Sequence, residues 1–453
     1  MAKNYSYIIL GAGIAGLSYA YKLKQEGIDF LLVEKSDAVG GNWKSFQYKG
    51  SIYEFGPNSF MNRCAELEEM IDTIGFRDQV ISHSFKDSKR YLYSKGKLKP
   101  VGPQELIFSD LLSFNAKLSI LKEPFTREHS QSSDESIYDF MARRFSLEIA
   151  DLVSYALQGI WAGDARQLSA RSALTKLYEA EQEHGSVIGG MLQGNKPKKR
   201  NKPLATCSFK NGLRSFCIAL ADWLKQDNIL LNADTKITML SDHGCTLEIN
   251  GKTIQADNLI IGTKAFEAAE LLKSTTTKLA QALDSIYYAP ISLYAYTLPQ
   301  SIFTETGHKM LNAFGYINGT PHKSTLGTIF SSQLFKERNL EDEYLFLSFA
   351  KAPWELVSSE LIEVLQPYVN KELAQNNFNL VNNKFIERAI PQYNIGYKSI
   401  VEDIDTELAK FPGLTLIGNY RGGVSLADTI RSSNPLQQKN RLVRRCSRDK
   451  MKQ

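Results

Sequence analysis

The tightest constraint on this chain lies at its front. Tyr7-Ile8-Ile9-Leu10 is a short apolar run, Gly11-Ala12-Gly13-Ile14-Ala15-Gly16 follows it, and a helix-like stretch leads to Phe30-Leu31-Leu32-Val33-Glu34. A strand that enters G-x-G-x-x-G, a helix, and a second strand ending on an acid 18 residues past the last glycine make the pattern that holds a dinucleotide. Gly11 permits a sharp turn, Gly13 lets the main chain approach a diphosphate, and Gly16 lets helix and strand pack closely. The helix start offers unpaired N–H groups and a partial positive charge to the phosphates. Glu34 is placed to accept hydrogen bonds from a ribose diol. The stretch from Tyr7 to Ala20 is apolar enough to imitate a secretory leader, but its three glycines break the apolar core a leader needs. No small-residue cleavage site precedes Tyr21-Lys22-Leu23-Lys24 either.

After Glu34 and Lys35 comes a second glycine pair, in Val39-Gly40-Gly41-Asn42-Trp43. Another close backbone approach to the same ligand follows from it, where the plain alternative is an ordinary Gly-Gly turn. The E-x5-G-G continuation resembles the flavin amine oxidase superfamily.

A chain of 453 residues can bury a large core and should divide into two or more lobes. No apolar run reaches the ~18 residues of a membrane-spanning helix. The five cysteines are scattered without a C-x-x-C pair and the six histidines without a pair of ligand spacing. That predicts a reducing compartment, the cytoplasm, and no metal. Of the formal net charge of +5, residues 431–453 carry eight Lys/Arg against Asp449, which leaves the rest of the chain at −2. A basic tail on an acidic body is not a nucleic-acid-binding surface. Together with the basic loop Lys196–Pro203 it suits a peripheral contact with anionic membrane lipid.

Along the chain, residues 1–82 read as the first part of a nucleotide-binding domain and 83–100 as a hairpin turning at Gly96. Residues 101–205 form a helical insertion, with apolar spacing such as Ile137-Phe140-Met141 and Leu152-Val153-Ala156-Leu157. The nucleotide domain resumes over 206–285, where Asn250-Gly251 marks the clearest hairpin. A second sheet spans 286–399, interrupted by a helix around Ser358 to Leu373. Residues 400–430 return to the nucleotide domain through Leu414-Thr415-Leu416-Ile417 and the turn Gly418-Asn419-Tyr420-Arg421-Gly422-Gly423, and 431–453 is the tail.

Several islands in shared order resemble one family, the oxygen-dependent protoporphyrinogen oxidases and their coproporphyrinogen-oxidising relatives. They are Gly56-Pro57-Asn58-Ser59-Phe60, Gly163-Asp164 with Leu168-Ser169, Ser186 to Met191, Ser208 to Leu213, Gly327 to Ser332, Ala389 to Tyr393, and Gly418 to Ser425. The resemblance implies an α/β fold (α+β overall): a discontinuous Rossmann-like FAD-binding domain, a mixed-sheet substrate domain and the helical insertion. It implies FAD held by Gly11, Ala12, Gly13, Ile14, Ala15, Gly16, Glu34, Lys35, Gly41 and Trp43. The turn of Gly56, Pro57, Asn58 and Ser59 would contribute, as would Ile237, Gly418, Asn419, Val424, Ser425 and Leu426. No cysteine lies between Gly418 and Leu426, so the flavin is expected to be non-covalent.

The resemblance further implies a porphyrinogen substrate oriented by Arg90, a planar bidentate cation suited to propionates, and oxygen reduced to hydrogen peroxide over six electrons. From the residues alone Arg90 reads as an exposed hairpin arginine beside Lys89. No residue is marked as a catalyst, and Trp161 and Tyr155 read as core aromatics. Protoporphyrinogen and coproporphyrinogen III both remain open as substrates. So do another flavin amine oxidase or carotenoid desaturase activity and a non-catalytic flavin- and porphyrin-binding role.

Overall fold

The computed structural model describes residues 3–84, 89–126, 134–194 and 203–434. The basic tail beyond 434 and the basic loop over 195–202 lie outside the described residues.

Strand β1 (Lys3–Leu10) leads through the glycine turn into helix α1 (Ile14–Gln25), and strand β2 (Phe30–Val33) returns parallel to β1. All four residues of β2 are buried, as expected of a parallel strand covered on both faces. Ile229–Leu230 extends the sheet beyond β2, and Lys252–Ile261 lies parallel on the other side of β1. The latter strand divides its outer edge. Its first half pairs antiparallel with Gly244–Ile249, which pairs on with Thr235–Ser241, and its last residues pair in parallel with Leu414–Leu416. One seven-stranded sheet is thereby assembled from three distant stretches of sequence. The turn between Gly244–Ile249 and Lys252–Ile261 places Asn250 and Gly251 at φ 50° and 74°, the mirror-image geometry that matches strand twist.

The second large sheet runs in the order Asn379–Pro391, Tyr288–Pro299, Glu343–Ala350, Thr325–Ile329, Gly315–Asn318, Arg90–Ser94, Lys97–Pro100. Its pairs are antiparallel except Gly315–Asn318 beside Arg90–Ser94. The helix expected around Ser358 to Leu373 instead spans Trp354–Leu365 and tightens into a single 3-10 turn at Gln366–Tyr368. Pro367 has no N–H to donate back to the Glu363 carbonyl in the preceding turn, which sets that end.

Between the hairpin and residue 194 the described chain is helical. The hydroxyls of Ser113, Ser136, Ser146 and Ser169 each accept the N–H three residues on and cap a helix. These helices meet over a buried ionic cluster. Arg144 is 1% exposed and pairs with Glu123 and Glu181, and Arg143 pairs with Glu135 and Glu181. Glu123 also accepts from the Ser186 hydroxyl at 2.7 Å and from the Val187 and Ile188 N–H groups at 2.8 and 3.1 Å. One carboxylate therefore caps the helix Val187–Gly194 and neutralises a fully enclosed guanidinium. Among the described residues no helix is long and apolar enough to cross a membrane.

Candidate functional site

A line of glycine turns crosses the first sheet, and most of them owe their glycine to a close approach or a positive φ. Gly11 takes φ 101°, and its N–H donates to Val33 O at 2.7 Å. A Cβ on Gly16 would lie 2.0 Å from Gly11 O, so α1 can sit on β1 only without a side chain there. Gly13 and Gly41 face each other, a Cβ on Gly41 falling 3.0 Å from Gly13 Cα. The Gly40 N–H donates to Ala12 O at 2.9 Å, which locks the two turns together. Further along, a Cβ on Gly56 would lie 2.1 Å from Asn42 O, and Asn58 Nδ2 donates to Gly56 O at 3.1 Å. In the other direction Thr263 bridges the first turn to the last. Its Cγ2 is 3.3 Å from a Cβ built on Gly11, and its carbonyl is 3.7 Å from one built on Gly418. Gly56, Gly41, Gly13, Gly11 and Gly418 thus form a continuous backbone cradle drawn from both ends of the chain.

Glu34 marks one end of this cradle. Its Oε2 accepts from Ala12 N–H at 2.7 Å, and its Oε1 accepts the Ser36 N–H at 2.9 Å and the Ser36 hydroxyl at 2.7 Å. Those bonds fix the carboxylate and still leave acceptor capacity for a diol. The segment before Ile237 runs alongside, with Asn232 and Ala233 N–H groups donating to Ser36 O and Glu34 O at 3.0 Å each. Ile237 itself is 0% exposed and belongs to an edge strand with an irregularity between Ile237 and Met239. Its side chain fills the core. Trp43 is likewise buried, its indole packing on Phe216 at 6.5 Å between ring centroids. Lys35 and Pro57 are exposed, and Ser59 is half-buried.

At the other end, Gly418 and Gly423 take φ 134° and 122°, and Ser425 caps the helix Leu426–Ser432, which packs beside α1. Val424 lies partly buried against the core between them. Two tyrosines hold this turn. Tyr393 OH donates to Asn419 O at 2.5 Å and accepts from Gly423 N–H at 3.0 Å, and Tyr397 OH donates to Tyr420 O at 2.5 Å. Their rings stack at 4.2 Å, and Trp161 meets Tyr393 edge-on at 4.9 Å. Burial pushes both phenol pKa values up, so each keeps the proton it donates. Neither tyrosine was predicted as a site residue, and only folding brings residue 393 against 419. Trp161 is the core aromatic it was expected to be, whereas Tyr155 is only partly buried.

Arg90 belongs to the second sheet, opposite Gly315. It is half-buried, its guanidinium lies 4.8 Å from the Phe314 ring centroid, and burial lowers its pKa from the ordinary arginine value. It remains cationic at neutral pH. An open cavity of about 430 Å³ lies on this sheet between Pro290, Ser292, Lys351 and Phe385 and shares no residue with the cradle. Among the described residues no cluster of His, Cys, Asp or Glu could hold a metal ion.

A mixed sheet whose central parallel strands run into turns of bare backbone, with a fixed acid at one end, defines a dinucleotide-binding protein. The family model for flavin containing amine oxidoreductases matches residues 14–433, and the chain belongs to that family. It is 28% identical to protoporphyrinogen oxidase 2, chloroplastic/mitochondrial, of Arabidopsis thaliana, over 94% of this chain and 91% of that protein. It is 24% identical to coproporphyrinogen III oxidase of Bacillus subtilis (strain 168), over 93% of this chain and 95% of that one. A crystal structure from Exiguobacterium sp. 255-15, itself provisionally assigned as a protoporphyrinogen oxidase, superimposes with a TM-score of 0.75 at 19% identity. It covers 98% of this chain and 99% of that one. The protein is therefore a flavoprotein oxidoreductase with FAD as cofactor, and the side-chain-free turns at Gly11, Gly13 and Gly41 are compatible with a ligand lying against main chain.

Proposed function

We propose that this protein is an FAD-dependent oxidase of a porphyrinogen, with protoporphyrinogen IX as substrate, protoporphyrin IX as product and oxygen as acceptor. The observation that carries this reading is full-length similarity to porphyrinogen oxidases, in a chain whose second sheet sets a half-buried arginine against an aromatic ring. In this reading the segments 1–82, 206–285 and 400–430 make the cofactor lobe, and the second sheet and helical insertion enclose the substrate. FAD, when bound, supplies the hydride acceptor and its reoxidation by oxygen. The chain's own part is positioning. The glycine turns hold the diphosphate, Tyr393 and Tyr397 hold the far turn, and Arg90 pairs with a propionate through a planar fork.

Purified holoprotein should convert protoporphyrinogen to a fluorescent porphyrin with release of peroxide, and faster than it converts coproporphyrinogen. Faster turnover of coproporphyrinogen would move the assignment to the four-carboxylate substrate. Arg90→Ala should raise KM about tenfold or more, the scale of one lost charge-assisted hydrogen bond, while the flavin spectrum stays unchanged. An unaltered KM would remove Arg90 from the substrate site. The charge of the basic tail supports, within this reading, a peripheral contact with anionic lipid, and deleting residues 436–453 should reduce sedimentation with acidic vesicles, whereas an unchanged partition would dismiss the contact.

A further inference from the structure

A diphosphate lying on Gly13 and Gly41 brings negative charge to turns that supply only N–H groups. Neither Gly11-Ala12-Gly13-Ile14-Ala15-Gly16 nor Gly40-Gly41-Asn42-Trp43 contains a cation. Arg214, from a different part of the chain, stands against them. It opens the helix Leu213–Leu224, and its Cγ lies 3.3 Å from a Cβ built on Gly40. Gly40 is the residue whose N–H bonds to Ala12 inside the first glycine turn, so the arginine stem is laid directly on the cradle.

The backbone beneath Arg214 is fixed. Its N–H donates to Ser45 Oγ at 3.0 Å, the Leu213 N–H donates to Glu54 Oε1 at 2.8 Å, and Ser45 Oγ donates to Glu54 Oε2 at 2.7 Å. Gly212, at φ 83°, lets the chain pass, since a Cβ there would fall 2.4 Å from Ser45 Oγ. The guanidinium is the opposite case. Among the described residues it makes no hydrogen bond or ion pair, and its Nε is buried without a partner. A buried charged donor left unmatched is costly, and the enclosed Arg144 of this protein is matched by Glu123. Lys35 and Lys44, the cations nearest in sequence, leave no such buried unpartnered atom.

We propose that Arg214 binds the diphosphate of FAD and supplies the cation that the Gly11–Gly16 and Gly40–Trp43 turns lack. This rests on the cradle being the FAD site. An arginine is suited to it, because its planar fork gives two parallel N–H donors to phosphate oxygens.

The test uses the full chain stripped of flavin and reads binding rather than turnover. FAD, ADP and adenosine are titrated against wild type, Arg214→Met and Arg214→Lys, with the fold of each checked by circular dichroism. Arg214→Met should weaken FAD and ADP about 10- to 100-fold, the equivalent of one or two charge-assisted hydrogen bonds. It should leave adenosine unchanged, and Arg214→Lys should recover part of the loss. Equal weakening of ADP and adenosine, or none of either, would overturn the assignment even if all variants bind FAD. A wild-type apoprotein that binds neither FAD nor ADP would instead overturn the FAD reading beneath it. Arg214→Gln gives the same comparison should the methionine variant fail to fold.

Discussion

Replacing Gly13 with alanine is expected to give a folded protein that has lost its FAD, whereas replacing Gly16 should cost both fold and cofactor. Gly13 sits at φ −73°, open to any residue, and a Cβ there would meet nothing nearer than Gly41 Cα at 3.8 Å, an ordinary contact. Nothing within the polypeptide requires glycine at that point. If FAD lies on this turn, the requirement comes from its diphosphate resting on the main chain, and an intruding methyl should weaken FAD about 10- to 100-fold, the scale of overpacking a close contact. Gly16 is different in kind. Its Cβ would lie 2.0 Å from a backbone oxygen, so β1 and α1 would have to separate, at a cost of about 3 kcal/mol or more. Flavin absorbance of the purified variants, set beside circular dichroism of the same samples, distinguishes the two. Full flavin occupancy in Gly13→Ala would mean that the cofactor does not lie on this turn.

The largest loss of stability is expected from Glu123→Ala. Removing that carboxylate leaves the fully enclosed Arg144 only its longer, 3.5 Å pairing with Glu181 as an ion pair and uncaps the helix Val187–Gly194 at one stroke. Breaking one partner of a buried pair costs about 3–5 kcal/mol, which should expose the helical insertion to limited proteolysis while the flavin stays bound. Glu123→Leu combined with Arg144→Met should recover most of the loss, because well-packed apolar side chains often replace a buried pair without penalty. The effect also has a sign in pH. Burial opposes ionisation of Glu123, but Arg144, Ser186 and two amides outweigh it and hold the carboxyl below its usual pKa. Its contribution is therefore complete above the ordinary glutamate pKa and is lost as pH falls into the acid range. Protease resistance of wild type and Glu123→Ala should differ most at neutral pH and converge on acidification. A constant difference across pH would show that ionisation of Glu123 is not what stabilises the insertion.

Much of the cofactor lobe was legible because its signals are local. Tyr7 to Glu34 announces strand, turn, helix, strand and acid in uninterrupted order, and Asn250-Gly251 fixes a hairpin by backbone conformation alone. The branching of Lys252–Ile261 between an antiparallel meander and a parallel strand from residues 414–416 was not legible. Period and propensity describe a strand, and they do not say who pairs with each half of it. Trp43 shows a second limit. It follows the glycine pair, yet its indole packs in the core on Phe216, since an apolar ring beside a backbone turn gains more from burial than from facing a polar diphosphate. Tyr393 shows a third. A tyrosine after Pro-Gln carries no mark of a clasp, and its meaning depends on a turn 26 residues away that reaches it only through a separate sheet. The same holds for Arg214, whose neighbour Gly40 lies in another domain segment.

The strand Leu414–Leu416 and the turn behind it are among the last described parts of the chain to be synthesised. A nascent polypeptide has β1, α1 and β2 from the outset, but Thr263 has no Gly418 to meet, and Tyr393 nothing to clasp, until residues 414–426 have left the ribosome. The Gly418 end of the proposed FAD cradle is therefore the last part of it to be made. Until residues 414–426 have emerged, the first sheet lacks one of its parallel strands and the cradle lacks its closing turn.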